Sequence, residues 1–208
     1  DDPVRVASIS KLAVAIGVMT LVDQGKLDLD ADVSAYLGWS LRNPAFPQTR
    51  IRLRDLLSHR STLTHGADYL IPLGETLQAH LAKPGVWDER HAPRQWFRYA
   101  NINFPVIATI MERVTGERFD RLMQRLVFSP LELDACFGWT SCSDAAIARA
   151  VVLTNPDGKI IRDKLDGKRP DCPSLAATDG SCDLASYVPG TNGALFSPQG
   201  GMRISARG

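Results

Sequence analysis

The residues best placed to do chemistry stand near the start of the chain, in Val6-Ala7-Ser8-Ile9-Ser10-Lys11-Leu12. Ser8 and Lys11 are three positions apart, so on a helix they share a face, one turn from each other. A serine alone is a poor nucleophile at neutral pH. A lysine held beside it, deprotonated with the help of partial burial or a neighbouring cation, can take its hydroxyl proton. A helix starting at Ser8 would also aim its free N–H groups and its dipole at a developing negative charge. The spacing alone decides little, because about one Ser-x-x-Lys is expected by chance in a chain of this length. On these four residues alone, a polar first turn on a buried helix is the favoured account.

The second candidate is Arg98-Tyr99-Ala100-Asn101-Ile102-Asn103-Phe104. Tyr99 and Asn101, two apart in a loop before a helix, can point into one cleft. A tyrosine near cations can lose its proton more readily and act as a general acid or base. Asn101 offers both a donor and an acceptor, able to hold Lys11 and a substrate amide together. The competing account is that Tyr99 packs and Asn101 caps the helix. Trp87, Trp96 and Phe97 flank this loop and suit either a cleft wall or the core. Arg90, Arg94 and Arg98 suit a solvated loop or the steering of a substrate carboxylate. His59, His65, His80 and His91 show no ligand spacing and read as structural or surface groups, His59 bonding within its own turn.

The elements that must position these residues are mostly helical. Ser8 to Gln24 reads as one helix closed by Gly25. Asp32 is the expected N-cap of a short helix to Leu37. Thr49 to Leu53 alternates like a short strand, with a helical turn over Leu53 to Ser58. Gly74 to Leu81 is a weak amphipathic helix. Asn101 or Asn103 is expected to cap the next helix, with Pro105 in its first turn and Val106, Ile107, Ile110, Met111 and Val114 as its apolar stripe. Phe119 to Phe128 and Asp144 to Arg149 read as further helices. Ala150 to Thr154 and Lys159 to Arg162 flank Asn155-Pro156-Asp157-Gly158, a hairpin signal. Arg169 to Gln199 is a long loop. Few strands are visible, too few for a full sheet.

Composition narrows the function classes. The 208 residues carry 44% hydrophobic and 23% charged residues, ordinary for a globular protein with a real core. Lys plus Arg number 24 against 23 Asp plus Glu, a formal charge of +1, which gives no support for nucleic acid or an anionic membrane as partner. The longest apolar run, Leu12 to Val22, falls short of the roughly 20 residues a membrane span needs. Cys136, Cys142, Cys172 and Cys182 lie in loop-like sequence in the last third. Two local pairs, Cys136–Cys142 and Cys172–Cys182, are expected as disulfides, with zinc or free thiols as alternatives. Disulfides would imply an oxidising compartment, periplasmic or secreted.

Ser8-Ile9-Ser10-Lys11, then Tyr99-Ala100-Asn101, then Ser197-Pro198-Gln199-Gly200-Gly201-Met202 resembles the serine hydrolase family of class C β-lactamases, D-Ala-D-Ala carboxypeptidases and related (family VIII-type) esterases. Gln24 to Asp30, the Leu56-Leu57-Ser58-His59-Arg60-Ser61 run and Ile110 to Pro130 match that family in order. Thr62 departs from it, standing where glycine is usual. The resemblance implies an α+β, β-lactamase/transpeptidase-like fold. It implies Ser8 as acylated nucleophile, Lys11 and Tyr99 as proton-transfer pair, Asn101 as substrate-orienting residue and the Ser8 N–H as half of an oxyanion hole. The implied substrate is a β-lactam, a D-Ala-terminated peptide or a carboxylic ester, with no metal or cofactor. The family's third motif, Lys- or His-Thr/Ser-Gly, is absent from residues 1–208. The chain is therefore expected to be a single domain over residues 1–208, incomplete at both ends. Strands of the central antiparallel sheet would come from missing sequence or a second chain. The rival expectations are a non-catalytic relative that binds or regulates, or an inactive fragment of such an enzyme.

Overall fold

The computed structural model describes residues 1–66 and 68–207. In chain order its regular elements are β1 (Val4–Arg5), α1 (Ser10–Asp23), α2 (Val33–Leu37), α3 (Leu53–Leu57), α4 (Leu77–Leu81), α5 (Asn103–Thr115), α6 (Phe119–Met123), β2 (Cys136–Phe137), α7 (Asp144–Ala148), β3 (Leu153–Thr154), β4 (Ile160–Arg162) and β5 (Met202–Ile204). The α+β, mainly helical character expected from the sequence holds.

The first helix begins later than its pattern suggests. Ala7 takes φ 45°, a left-handed conformation that non-glycine residues seldom adopt. Ala7–Ile9 therefore wind as a 3₁₀ turn and the α-helix proper starts at Ser10. Ser8 thus sits on the tight turn feeding α1, not within it. On one side α1 buries Ala13, Val14, Gly17, Val18 and Leu21. Gly17 permits close packing, since a Cβ there would lie 2.9 Å from Met123 Sδ. On its other side Ile9, Leu12, Ile16 and Met19 are exposed.

Helix α5 is the centre of the core, with every residue from Asn103 to Glu112 buried. Gly116 at φ 68° ends it, as a left-handed C-cap should. Neither expected asparagine caps its start. Ile102 is the N-cap residue and makes no side-chain cap bond. The Asn103 amide instead donates to Ala100 O at 2.9 Å. The strand expected over Thr49 to Leu53 reduces to a single bridge between Asp32 and Arg52. The reason is local: the Asp55 carboxylate accepts the Arg52 N–H at 3.0 Å, which turns the chain straight into α3. Thr76 Oγ1 accepts from Ala79 N at 3.2 Å, so α4 starts after Thr76 rather than at Gly74. The helix expected over Phe119 to Phe128 changes at Gln124 into a π-helical turn over Gln124–Phe128.

Strands β1, β5 and β2 form a small antiparallel sheet in that order, with Arg5 opposite Arg203 and Phe137 opposite Met202. The β3–β4 hairpin closes around Asn155, whose N–H donates to Lys159 O at 3.0 Å. Both expected disulfides are present, Cys136–Cys142 and Cys172–Cys182. Among the described residues no helix is long and apolar enough to cross a membrane.

Candidate active site

The strained Ala7 turn and the start of α1 place Ser8 and Lys11 together. Lys11 Nζ donates to Ser8 Oγ at 3.1 Å. From the loop before α5, the Tyr99 hydroxyl lies 2.7 Å from the same Oγ. Three of the four residues singled out from the sequence therefore meet at one atom. Lys11 is 9% exposed, whereas Tyr99 is 37% exposed and Ser8 faces solvent. The Lys11 ammonium also lies over the rings of Tyr99 at 4.9 Å and Phe104 at 5.3 Å, a cation–π arrangement that holds it in a largely apolar seat. Burial pushes the Tyr99 phenol up. The hydrogen bonds with Lys11 and Ser8 and the ammonium charge outweigh it, so the phenol titrates below its ordinary range.

The fourth residue behaves differently. Asn101 Oδ1 is buried and has no hydrogen-bond partner among the described residues. The acceptor that holds Lys11 is instead the main-chain carbonyl of Gln199, at 2.6 Å. Asn101 is adjacent in sequence to the Tyr99 loop, and its backbone carbonyl accepts Phe104 N at 3.0 Å. A buried amide oxygen without a partner costs free energy in the folded chain, the kind of cost found where a ligand group completes a site.

His59 is the main residue whose role the sequence did not disclose. It was expected to bond within its own turn. Its Nδ1 instead meets Ala100 N at 3.3 Å and the Asn103 amide nitrogen at 3.2 Å, more than 40 residues along the chain. Its ring lies 4.5 Å from the Tyr99 ring, forming the floor beneath the phenol. Desolvation, with the Lys11 charge, pushes the imidazole down to about 4, so it is neutral at pH 7. Two neutral donors on Nδ1 suit that state, since an imidazolium has no acceptor to offer. His59 itself has φ 56° and Thr62 has φ 74°. The glycine expected at position 62 is thus explained: the backbone there is left-handed, and Thr62 is retained with Asn43 donating to its hydroxyl at 2.9 Å.

The aromatic flank is partly open. Trp96 and Phe97 are 50% and 59% exposed, and Trp96 stacks on His91 at 4.7 Å. Arg98 lies 4.0 Å from Asp88, with nearly half its side chain in solvent, as a solvated loop would have it. A cavity of about 710 Å³, lined by Trp39, Arg42, Lys83 and Trp87 among others, includes none of Ser8, Lys11 or Tyr99. The chemistry-bearing groups, not the cavity size, mark the candidate site.

The mainly helical α+β domain, with a serine, a lysine and a tyrosine hydrogen-bonded where its first helix begins, has the β-lactamase/transpeptidase-like fold. The chain belongs to the Beta-lactamase family, which it matches over residues 1–208. It is 33% identical over 134 residues to the putative penicillin-binding protein PbpX of Bacillus subtilis (strain 168), covering 60% of this chain and 30% of that protein. It is 27% identical over 139 residues to the D-alanyl-D-alanine-carboxypeptidase/endopeptidase AmpH of Escherichia coli (strain K12), covering 63% and 35%. Among solved structures, EstCE1, a hydrolase with promiscuous acyltransferase activity, superposes with a TM-score of 0.68 at 23% identity, covering 100% of this chain and 56% of that one. A class C β-lactamase from Rhodobacter sphaeroides gives 0.67 at 20% identity, covering 100% and 49%. These structures share the fold. The chain spans about a third of the length of the two curated relatives.

Proposed function

We propose that this chain carries the nucleophile half of an acyl-transferring serine hydrolase centre, with Ser8 as nucleophile and Lys11 and Tyr99 as its proton-transfer pair. The observation that carries the reading is the convergence of Lys11 Nζ and the Tyr99 hydroxyl on Ser8 Oγ, at 3.1 and 2.7 Å. In the acylation step the Ser8 O–H bond breaks as its oxygen bonds to the substrate carbonyl carbon. The proton passes to the basic member of the pair. The tetrahedral intermediate then collapses, the bond to the leaving group breaks, and that group takes the proton. Water repeats the sequence to release the acid. The Ser8 N–H would donate to the oxyanion, and Asn101, with its unpaired Oδ1, would orient a substrate N–H. The substrate would be a β-lactam, a D-Ala-terminated peptide or a carboxylic ester. No metal or cofactor takes part in these steps.

The site needs more than these residues. The stripe of Ile9, Leu12, Ile16 and Met19 is exposed along α1, an apolar surface of the kind that marks an interface. The solved relatives are about twice as long. In this reading residues 1–208 form one part of a β-lactamase-like domain, and its remaining strands, from the same chain or from another, would cover this stripe and bring a second oxyanion donor. The two disulfides suit a periplasmic or secreted setting. Labelling with a fluorophosphonate or a fluorescent penicillin, followed by peptide mapping, tests the nucleophile. Label on the Ser8 peptide that vanishes in Ser8→Ala is the expected result, and label that persists in Ser8→Ala overturns it. Absence of label from a longer chain that includes the flanking sequence would favour a binding or regulatory relative.

A further inference from the structure

Three successive carbonyls, those of Gln199, Gly200 and Gly201, are each held by a different basic side chain. Lys11 Nζ donates to Gln199 O at 2.6 Å. Arg5 Nε donates to Gly200 O at 2.7 Å. Arg203 Nη1 donates to Gly201 O at 2.6 Å. We propose that Arg5 and Arg203 are positioning residues for Lys11, clamping the Gln199–Gly201 segment so that the Gln199 carbonyl aims the Lys11 ammonium at Ser8.

The geometry around the segment makes it a rigid part rather than a passing loop. Ser197 adopts φ 51°, and its carbonyl accepts from both Gly200 N and Gly201 N at 3.0 and 2.7 Å. A Cβ on Gly201 would fall 2.6 Å from Ser197 Cβ, so only glycine fits there. Arg203 is itself fixed from the far side. Its Nη2 pairs with Asp163 at 2.9 Å, the same carboxylate accepts Trp139 Nε1 at 2.8 Å, and its guanidinium lies 5.3 Å from the Trp139 ring. Arg5 reaches the segment from β1, two residues before the strained Ala7. The nucleophile turn is tied to the same place: Ser10 Oγ donates to Ala7 O at 2.6 Å and accepts Met202 N at 3.0 Å. The Lys11 carbonyl acceptor and the Ser8 turn are therefore referenced to one short piece of chain. Holding that piece with three cations costs desolvation and mutual repulsion. The β5 ladder already secures its end without them, so the added holding acts on the carbonyl positions. A lysine whose acceptor drifts by about an ångström loses its aim at the serine hydroxyl, and misplacement on that scale costs about a hundredfold in rate.

The catalytic consequence rests on the serine-hydrolase reading; the placement of Lys11 does not, and the test separates the two. Arg203 is unsuitable for substitution because its loss strands Asp163, so the test uses half-buried Arg5. Arg5→Gln and Arg5→Lys are compared with the unaltered chain by trace acetylation with acetic anhydride, each lysine being quantified by peptide mass. The fluorophosphonate labelling rate at Ser8 is measured in parallel. Arg5→Gln is expected to raise Lys11 acetylation severalfold, with Lys83, Lys159 and Lys164 unchanged, and to slow Ser8 labelling by about ten- to a hundredfold. Arg5→Lys, which keeps a donor for Gly200 O, is expected to recover most of both. Lys11 acetylation that stays at its original level in Arg5→Gln overturns the proposal. So does a rise shared by all lysines, because that reports loss of fold rather than of the clamp. Absence of Ser8 labelling in the unaltered chain counts against the serine-hydrolase reading, while the acetylation arm still decides the clamp.

Discussion

Two tyrosines of this protein make hydrogen bonds of similar length to opposite effect. Tyr99 touches Ser8 Oγ at 2.7 Å under the ammonium of Lys11, and its phenol is drawn down in spite of burial. Tyr187 donates to Glu112 Oε2 at 2.6 Å, and burial together with the Glu112 carboxylate drives its phenol far above the ordinary range. The side chain is the same; the sign of the neighbouring charge differs. A phenol beside a cation in an open site can pass a proton. One tied to a buried carboxylate is a permanent donor. Glu112 also accepts Phe119 N at 2.8 Å and Gly190 N at 2.7 Å, so that cluster joins α5, α6 and the loop after Tyr187. The proposed chemistry falls to the first assembly, and the second is a structural latch.

Removing each hydroxyl gives the widest separation. Tyr99→Phe is expected to slow acylation of Ser8 by about 10²–10⁴-fold with little change in stability, because that phenol is more than a third exposed. Tyr187→Phe is expected to cost about 1–3 kcal/mol of stability by depriving a buried carboxylate of a donor, with Ser8 labelling at its original rate. Labelling kinetics and denaturant midpoints on both variants check this. Equal slowing in the two would break the contrast.

The pH dependence of stability sharpens the contrast through Glu112 and His59. Burial, against three hydrogen bonds, raises the Glu112 carboxyl from 4.5 to about 7. The folded state then binds the extra proton between those values. The stability it contributes is complete below about pH 4.5 and is lost as pH rises through 7, by about 3 kcal/mol at most. His59 runs the other way. Its imidazole falls from 6.5 to about 4, so its contribution is complete above about pH 6.5 and is lost as pH falls through 4. Denaturant unfolding from pH 4 to 8 should show the fall on the alkaline side flattened in Glu112→Gln and the loss on the acid side reduced in His59→Asn. A parallel pH curve for either variant and the unaltered chain would remove the assigned group from the explanation.

What could be read from the residues and what could not follows from the range of the signals. Ser8, Lys11 and Tyr99 were legible because each has a side chain suited to proton transfer and two of them stand three positions apart. The Gln199 carbonyl was not, since every residue carries one and only the fold selects which reaches Lys11. His59 failed as a local reading because its partners, Ala100 and Asn103, are distant in sequence. The asparagine caps of α5 failed because Asn103 has a stronger use, bridging Ala100 O, His59 and Ser61, whose hydroxyl donates to Asn103 Oδ1 at 2.6 Å. The disulfides and the hairpin were legible because both are short-range.

A smaller effect is expected at Thr62, whose φ of 74° strains a β-branched residue. Thr62→Gly removes that strain at the cost of the Asn43 hydrogen bond and of chain entropy, and a gain of about 1 kcal/mol or less is expected. A loss of stability on thermal unfolding would mean that the Asn43 bond outweighs the strain.

The smallest change in stability is expected at Asn101. Its Oδ1 is buried without a partner among the described residues, so Asn101→Ala removes an unsatisfied acceptor and should alter the unfolding free energy by no more than about 0.5 kcal/mol. Its effect on reactivity should depend on the reagent. A penicillin brings a side-chain amide that Asn101 would hold, whereas a fluorophosphonate does not. Asn101→Ala should therefore slow penicillin labelling more than fluorophosphonate labelling. Equal slowing would assign Asn101 to the positioning of Ser8 or Tyr99 instead. A large loss of stability would mean that its amide nitrogen, rather than its idle oxygen, supports the Tyr99 loop.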